Sequence, residues 1–179
     1  MSGIASMTRS VRRPGTTATE YPVVDGAALR HAAGAFATGV CVVTTEDPVT
    51  TAPHGMTVNA FTSLTLDPPT VLVCLNRGST THGLVTRAGR FALNVLQAEQ
   101  EALAQRFASR DTDKFTGVDW HSGALGVPLL DGTLAALECE VETTYEVHTH
   151  TVVIASVHSA MVAEGAPLLF HRGRLGTPR

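Results

Sequence analysis

Apolar residues along this chain switch between two spacings, and each switch marks an element. After Asp25, a residue suited to capping a helix, Ala28, Leu29, Ala32, Ala33 and Phe36 recur at helical spacing until Gly39 supplies a stop. The run Val40-Cys41-Val42-Val43-Thr44-Thr45 is short and mostly β-branched, and predicts a strand. A polar, proline-containing turn over 46–53 leads to a second strand over 56–60, and Pro68 and Pro69 punctuate the chain before a third over 70–75. Ser79 suits the cap of a short helix reaching Thr86, and 90–95 reads as the next strand. The clearest amphipathic helix covers 97–109, with Ala98, Ala102, Leu103 and Phe107 on one face and Glu99, Gln100, Glu101 and Gln105 solvated. No period holds from 111 to 131, where Trp120 is the expected packing anchor. Long strands over 134–147 and 151–157 follow, with a turn near His148, and 167–170 is a short closing strand. Many strands with turn signals between them, and few helices, predict a mainly β fold: a barrel with helices packed outside.

Composition narrows this picture. A chain of 179 residues suits one domain, and 44% hydrophobic with 16% charged residues is the balance of a globular protein. Aromatics are only 5%, so aliphatic side chains must carry the core. A formal charge of −3 gives no general pull toward nucleic acid or an anionic membrane. No apolar run approaches the roughly 20 residues needed to cross a bilayer. Cys41, Cys74 and Cys139 are far apart in apolar sequence, which predicts buried, reduced thiols and a cytoplasmic setting. No closely paired cysteines suggest a zinc site, and no metal is expected. Residues 1–22 differ from the rest: Arg9, Arg12 and Arg13 sit among Ser, Thr, Gly and Pro with no apolar stretch behind them. They read as a disordered basic leader rather than a secretory signal, with one domain over 23–179, and Met7 is an alternative start. Neither a G-x-G-x-x-G after a strand nor a P-loop occurs, so a nucleotide binding here must be held differently.

The most informative stretch runs from His54 through Asn59 to Pro69, where polar and small residues alternate with apolar ones. As a strand it buries one face and presents Thr57 and Asn59 on the other. Such a surface either carries the edge of a flat heterocycle or is simply the polar edge of a barrel hairpin. Ser79 at a helix N-terminus is a natural phosphate site, with Arg110 or Arg77 as the accompanying cation.

Gly55-Met56-Thr57-Val58-Asn59-Ala60-Phe61-Thr62-Ser63-Leu64, followed by Asp67-Pro68-Pro69, resembles the signature of the flavin reductase-like family. These are the short-chain reductases that serve as small components of two-component monooxygenases. The resemblance extends over nearly the whole chain after the leader: Phe36-Ala37-Thr38-Gly39-Val40, Val71-Leu72-Val73-Cys74-Leu75-Asn76, Gly89-Arg90-Phe91-Ala92-Leu93-Asn94, Asp113-Lys114-Phe115 and Pro167-Leu168-Leu169-Phe170-His171-Arg172-Gly173 all fit in order. It implies a Greek-key, FMN-binding split β-barrel acting as a homodimer, with NADH or NADPH reducing FMN (FAD being the other candidate) and diffusible reduced flavin passing to a flavin-dependent monooxygenase. It implies ring and ribityl contacts on Pro53, His54, Gly55, Met56, Thr57, Asn59 and Ala60. Cys74, Leu75, Asn76, Ser79 and Thr80 would follow the ribityl chain to the phosphate. His148-Thr149-His150 resembles the family's Gly-Asp-His stretch, which puts His150 at the nicotinamide nucleotide, with a different turn and no neighbouring carboxylate. His171 and Arg172 are the remaining candidates for the dinucleotide, or else pack in an interface. The alternative implied by the same fold is a barrel that keeps FMN as a prosthetic group for another substrate.

Overall fold

The structure, a computed structural model, describes residues 23–178, so the expected basic leader lies outside the described residues. In chain order the elements are α1 (Gly26–Ala33), β1 (Thr38–Gly39), β2 (Cys41–Glu46), β3 (Pro53–Val58), β4 (Phe61–Leu66), β5 (Pro69–Asn76), α2 (Thr80–Ala88), β6 (Arg90–Val95), α3 (Glu101–Ala108), β7 (Trp120–Ser122), β8 (Pro128–Leu130), β9 (Ala135–Val147), β10 (His150–Val162), β11 (Leu169–His171) and β12 (Arg174–Gly176).

Seven strands form one antiparallel sheet in the order β3-β2-β6-β9-β10-β5-β4. Its two end strands, β3 and β4, are joined by Asn59 and Ala60 alone. Laid flat, the ends of such a sheet would stand about 29 Å apart, at roughly 4.8 Å per strand. The two-residue joint spans at most about 11 Å. The sheet therefore curls until its edges meet, and because β3 and β4 do not pair, the barrel is split along that seam. Cys41, Val43, Val73, Leu75, Phe91, Leu93, Cys139 and Val153 fill its interior. The opposite face of β2 is apolar too, because Val42, with Val40 just before the strand, packs with Ala104 and Phe107 of α3, Leu130 and Leu168. Burial on both faces explains why the β2 run shows no alternation.

The expected strands at 40–45, 70–75 and 90–95 form within a residue at each end, and α2 follows its Ser79 cap, whose side chain accepts from Thr81 N. Several boundaries move for identifiable reasons. The strand expected over 56–60 starts earlier, at Pro53, and ends at Val58, because Asn59 and Ala60 form the joint at the seam before β4 begins. α1 stops at Gly34, five residues before Gly39, and none of its residues is buried. α3 starts at Glu101 because Gln97 bridges to Pro167 and the Ala98 N–H donates to Ala166. The segment read as irregular contains the β7–β8 hairpin, which sequence-distant polar groups hold. Asn94, fully buried, donates to the Val42 carbonyl and Thr44 Oγ1 and accepts from Leu130 N at 2.9 Å, while Thr44 donates to the Pro128 carbonyl. Trp120 stacks edge-on against Phe115, which stacks likewise on Phe107.

Two tight features of this packing are testable. Burial pushes the thiols of Cys41 and Cys139 up to about 12 from the ordinary 9.0, helped for Cys139 by the charge of Glu138. The folded chain thus keeps two protons that the unfolded chain loses above pH 9, so stability falls as pH climbs from 9 toward 12. In urea unfolding at stepped pH, the variant Cys41→Ala/Cys139→Ala should show a clearly shallower fall across that window, whatever its stability at pH 8. Separately, a Cβ at Gly55 would lie 2.7 Å from Phe107 Cε1 and 3.2 Å from the Val43 carbonyl. Phe107 is buried and held by Phe115, so Gly55→Ala should cost about 1–3 kcal/mol, read as a drop of several degrees in Tm.

Candidate functional site

The seam leaves β3 paired on one side only, so part of its backbone donors and acceptors stays outside the ladder. Against that strand lies a cavity of about 640 Å³. Pro53, His54, Gly55, Met56 and Thr57 form one wall, Asn76, Gly78 and the first turn of α2 a second, and the end of α3 with residues 109–115 the third.

Local chemistry builds the second wall. Asn76 Oδ1 accepts the Gly78 N–H at 2.8 Å and its carbonyl accepts from Ser79 N, which curls the chain into α2. Ser79, Thr80 and Thr81 then bring the positive end of a nine-residue helix to the cavity. The third wall brings cations. Arg110 lines it, and so does Lys114, whose Nζ donates to the carbonyls of Phe107 (2.9 Å) and Gly55 (3.4 Å). Burial pulls the Lys114 pKa below the ordinary lysine range, and Asp111 opposes this. The loop is braced by Asp113, which accepts from the hydroxyl and the N–H of Thr116; these bonds hold its carboxyl below the usual range. Thr57 Oγ1 donates to the Ala104 carbonyl at 2.6 Å, so that hydroxyl ties β3 to α3 as well as lining the cavity.

A second cavity, about 1080 Å³ and mostly apolar, opens on the other side of the seam. Asn59, Ala60, Cys74 and Arg172 line it, together with Arg30, His31, Phe36 and Phe170. Strand alternation along β5 connects the two: Leu72 and Cys74 face the second cavity and Asn76 the first, while Leu75 between them points into the core and is fully buried. The chain thus brings together most of the candidate residues, in two adjoining compartments rather than one.

Four expectations need qualification. Leu75 has only its backbone to offer a ligand. Cys74 is half-buried against the second cavity rather than wholly enclosed. Arg77 does not reach the phosphate end; its guanidinium turns to Glu146 Oε2 (3.1 Å) and the His148 carbonyl (3.3 Å). His150 and His171 are exposed and line neither cavity, although His150 pairs across the sheet with Asn76, which places it on the face and at the height of the first cavity's rim. Lys114, to which the sequence reading gave no role, and Phe107, which it placed only on the packing face of a helix, both line the first cavity. Lys114 stands inside the quoted Asp113-Lys114-Phe115 motif, the one signal that could have singled it out.

The residues present fit a flavin nucleotide. A helix N-terminus with two nearby cations matches its phosphate, and an edge strand with unclaimed backbone groups matches the rim of a flat, hydrogen-bonding ring.

Comparison with known proteins agrees with this geometry. Residues 33–179 match the flavin reductase like domain. The reductase subunit HsaB of a flavin-dependent monooxygenase from Rhodococcus jostii is 38% identical over 89% of this chain and 82% of its own length. The FMN reductase (NADH) SmoA of Agrobacterium fabrum is 41% identical over 83% of each. An NADH:FAD oxidoreductase from Streptomyces globisporus, solved in complex with NAD and FAD fragments, superposes with a TM-score of 0.79 at 39% identity, covering 87% of this chain and 95% of that one. With a split barrel, a phosphate-ready helix end and a match over most of its length, the chain belongs to the flavin reductase-like family.

Proposed function

We propose that this protein is an NAD(P)H:flavin oxidoreductase, preferring FMN, that releases reduced flavin to a partner monooxygenase. The observation that carries this reading is the first cavity: the α2 N-terminus faces Arg110 and Lys114 across a space bounded by the free edge of β3. Relatives named as reductase subunits and as an NADH-dependent FMN reductase support the same assignment.

Bound flavin supplies the hydride acceptor, and hydride transfer from a reduced nicotinamide to it needs no protein nucleophile. What this chain contributes is position. Ser79, Thr80 and Arg110 anchor the phosphate, residues 53–57 hold the ring edge, and Asn76 with Cys74 marks the path along β5 toward the apolar second cavity. There Arg172 and Asn59 stand ready for the nicotinamide nucleotide, while His150 approaches it from the rim of the first cavity on β10. Holding two rings at reacting distance is the main catalytic gain available to such a site.

The protein acts as a homodimer in the cytoplasm, as one domain over 23–179. Exposed apolar side chains support the dimer: Leu29 on α1 and Phe36 just after it are 59% and 76% exposed, and Leu66 on β4 is 87% exposed, so these faces lack cover in a single chain. Among the described residues no helix is long and apolar enough to cross a membrane.

Turnover of NADH with free FMN, giving diffusible reduced flavin, tests the function. Tight FMN retention without turnover would favour the prosthetic-group alternative. Arg110→Ala separates phosphate from ring: losing a bond to a charged group should raise KM for FMN about 10–100-fold and leave riboflavin unaffected. His150→Ala should raise KM for NADH about 10-fold with KM for FMN unchanged. An unchanged KM for NADH would remove His150 from the nicotinamide side.

A further inference from the structure

Arg77 follows directly after β5, one residue beyond Asn76, yet it turns to the β9–β10 hairpin instead of into the cavity. Its backbone N–H donates to the Thr149 carbonyl at 3.0 Å. Its Nη1 donates to the His148 carbonyl at 3.3 Å, and its Nη2 lies 3.1 Å from Glu146 Oε2. One residue therefore grips the β9–β10 hairpin at three places within four positions.

That hairpin end requires external support. Val147 pairs with His150, so His148 and Thr149 make up the whole loop. His148 takes φ 51°, the left-handed region where glycine or asparagine is the usual occupant. No local glycine stabilises this shape, so tertiary contacts must hold it. Immediately beyond, Thr149 Oγ1 lies 2.9 Å from His150 Nδ1, which orients the imidazole and leaves Nε2 as its outward atom. A planar guanidinium suits the clamp because its two separate Nη atoms reach a carbonyl and a carboxylate on different residues at once, where a lysine would have to serve both from a single nitrogen.

We propose that Arg77 is a positioning residue for the nicotinamide half of the reaction: it fixes the hairpin tip that carries His150 to the loop that leads into the flavin-phosphate end of α2. The inference rests on the reading that His150 meets the nicotinamide nucleotide. It also explains why an arginine beside the phosphate loop turns away from the cavity. Since Arg77 and Glu146 side chains are 42% and 66% exposed, their ion pair adds little to folding, and its effect falls on geometry.

The test compares Arg77→Ala, Arg77→Lys, His150→Ala and the double variant Arg77→Ala/His150→Ala in the full chain, with NADH and FMN as substrates. Arg77→Ala should raise KM for NADH about 3- to 10-fold, with KM for FMN and Tm unchanged. Arg77→Lys should recover only part of the loss. The double variant should match His150→Ala alone, because a residue acting through His150 has nothing left to position. Glu146→Gln, which leaves the hairpin backbone intact, should shift KM for NADH in the same direction by less. Additive losses in the double variant would overturn the proposal, as would a rise in KM for FMN as large as that for NADH. A silent Arg77→Ala beside an impaired His150→Ala would overturn the clamp alone. A silent His150→Ala would overturn the reading of His150 on which the clamp rests.

Discussion

Everything in this molecule follows from a short tether. Asn59 and Ala60 are all that separates the two end strands of a seven-stranded sheet, and that distance leaves curling as the sole solution. Curling creates an interior for the aliphatic side chains of β2, β5, β6, β9 and β10, which a chain with so few aromatics needs in order to fold. It also creates a seam where β3 has no second partner. The two cavities flank that seam, so the place where the sheet fails to close is the place that offers free backbone and open space together.

A second constraint keeps the outer layer in order. Asn94 is wholly buried, and its amide satisfies groups on β2 and β8 together. Removing that amide would strand several buried polar groups at once, which costs far more than one exposed bond. Through it the β7–β8 hairpin is fastened to the barrel, and with the hairpin come Trp120 and Phe115, the stack behind Phe107. Phe107 in turn presses on Gly55 at the floor of the first cavity. The shape of the binding wall is thus set by residues far from it in sequence.

This separates what the sequence revealed from what it could not. Local rules found β2, β5, β6 and α2 within a residue or two, because their signals are run length, β-branching and a capping serine. They missed β7 and β8, whose pairing depends on an asparagine on another strand, and they extended α3 backward over residues that the closing segment claims at Pro167. The resemblance named the phosphate and ring candidates as one set, yet it could not divide them between the two cavities that most of them line. It also could not show that Leu75 faces inward or that Arg77 bends toward Glu146. Those facts depend on register and on which of two neighbours is nearer, and neither is written in a motif. Lys114 was visible as a letter in a motif, but its role required knowing that two carbonyls, of Gly55 and Phe107, converge on it.

The free edge of β3 has an evolutionary consequence. A ring held by main-chain groups is read by atoms that every amino acid carries, so replacing the side chains along that strand does little to change which ring is accepted. The end of the first cavity beside the α2 N-terminus, where the proposed phosphate would sit, is different, because Arg110, Asp111 and Lys114 stand there as side chains and can be exchanged one codon at a time. Divergence within such a fold is therefore free to alter the tail of the nucleotide while its head group stays the same.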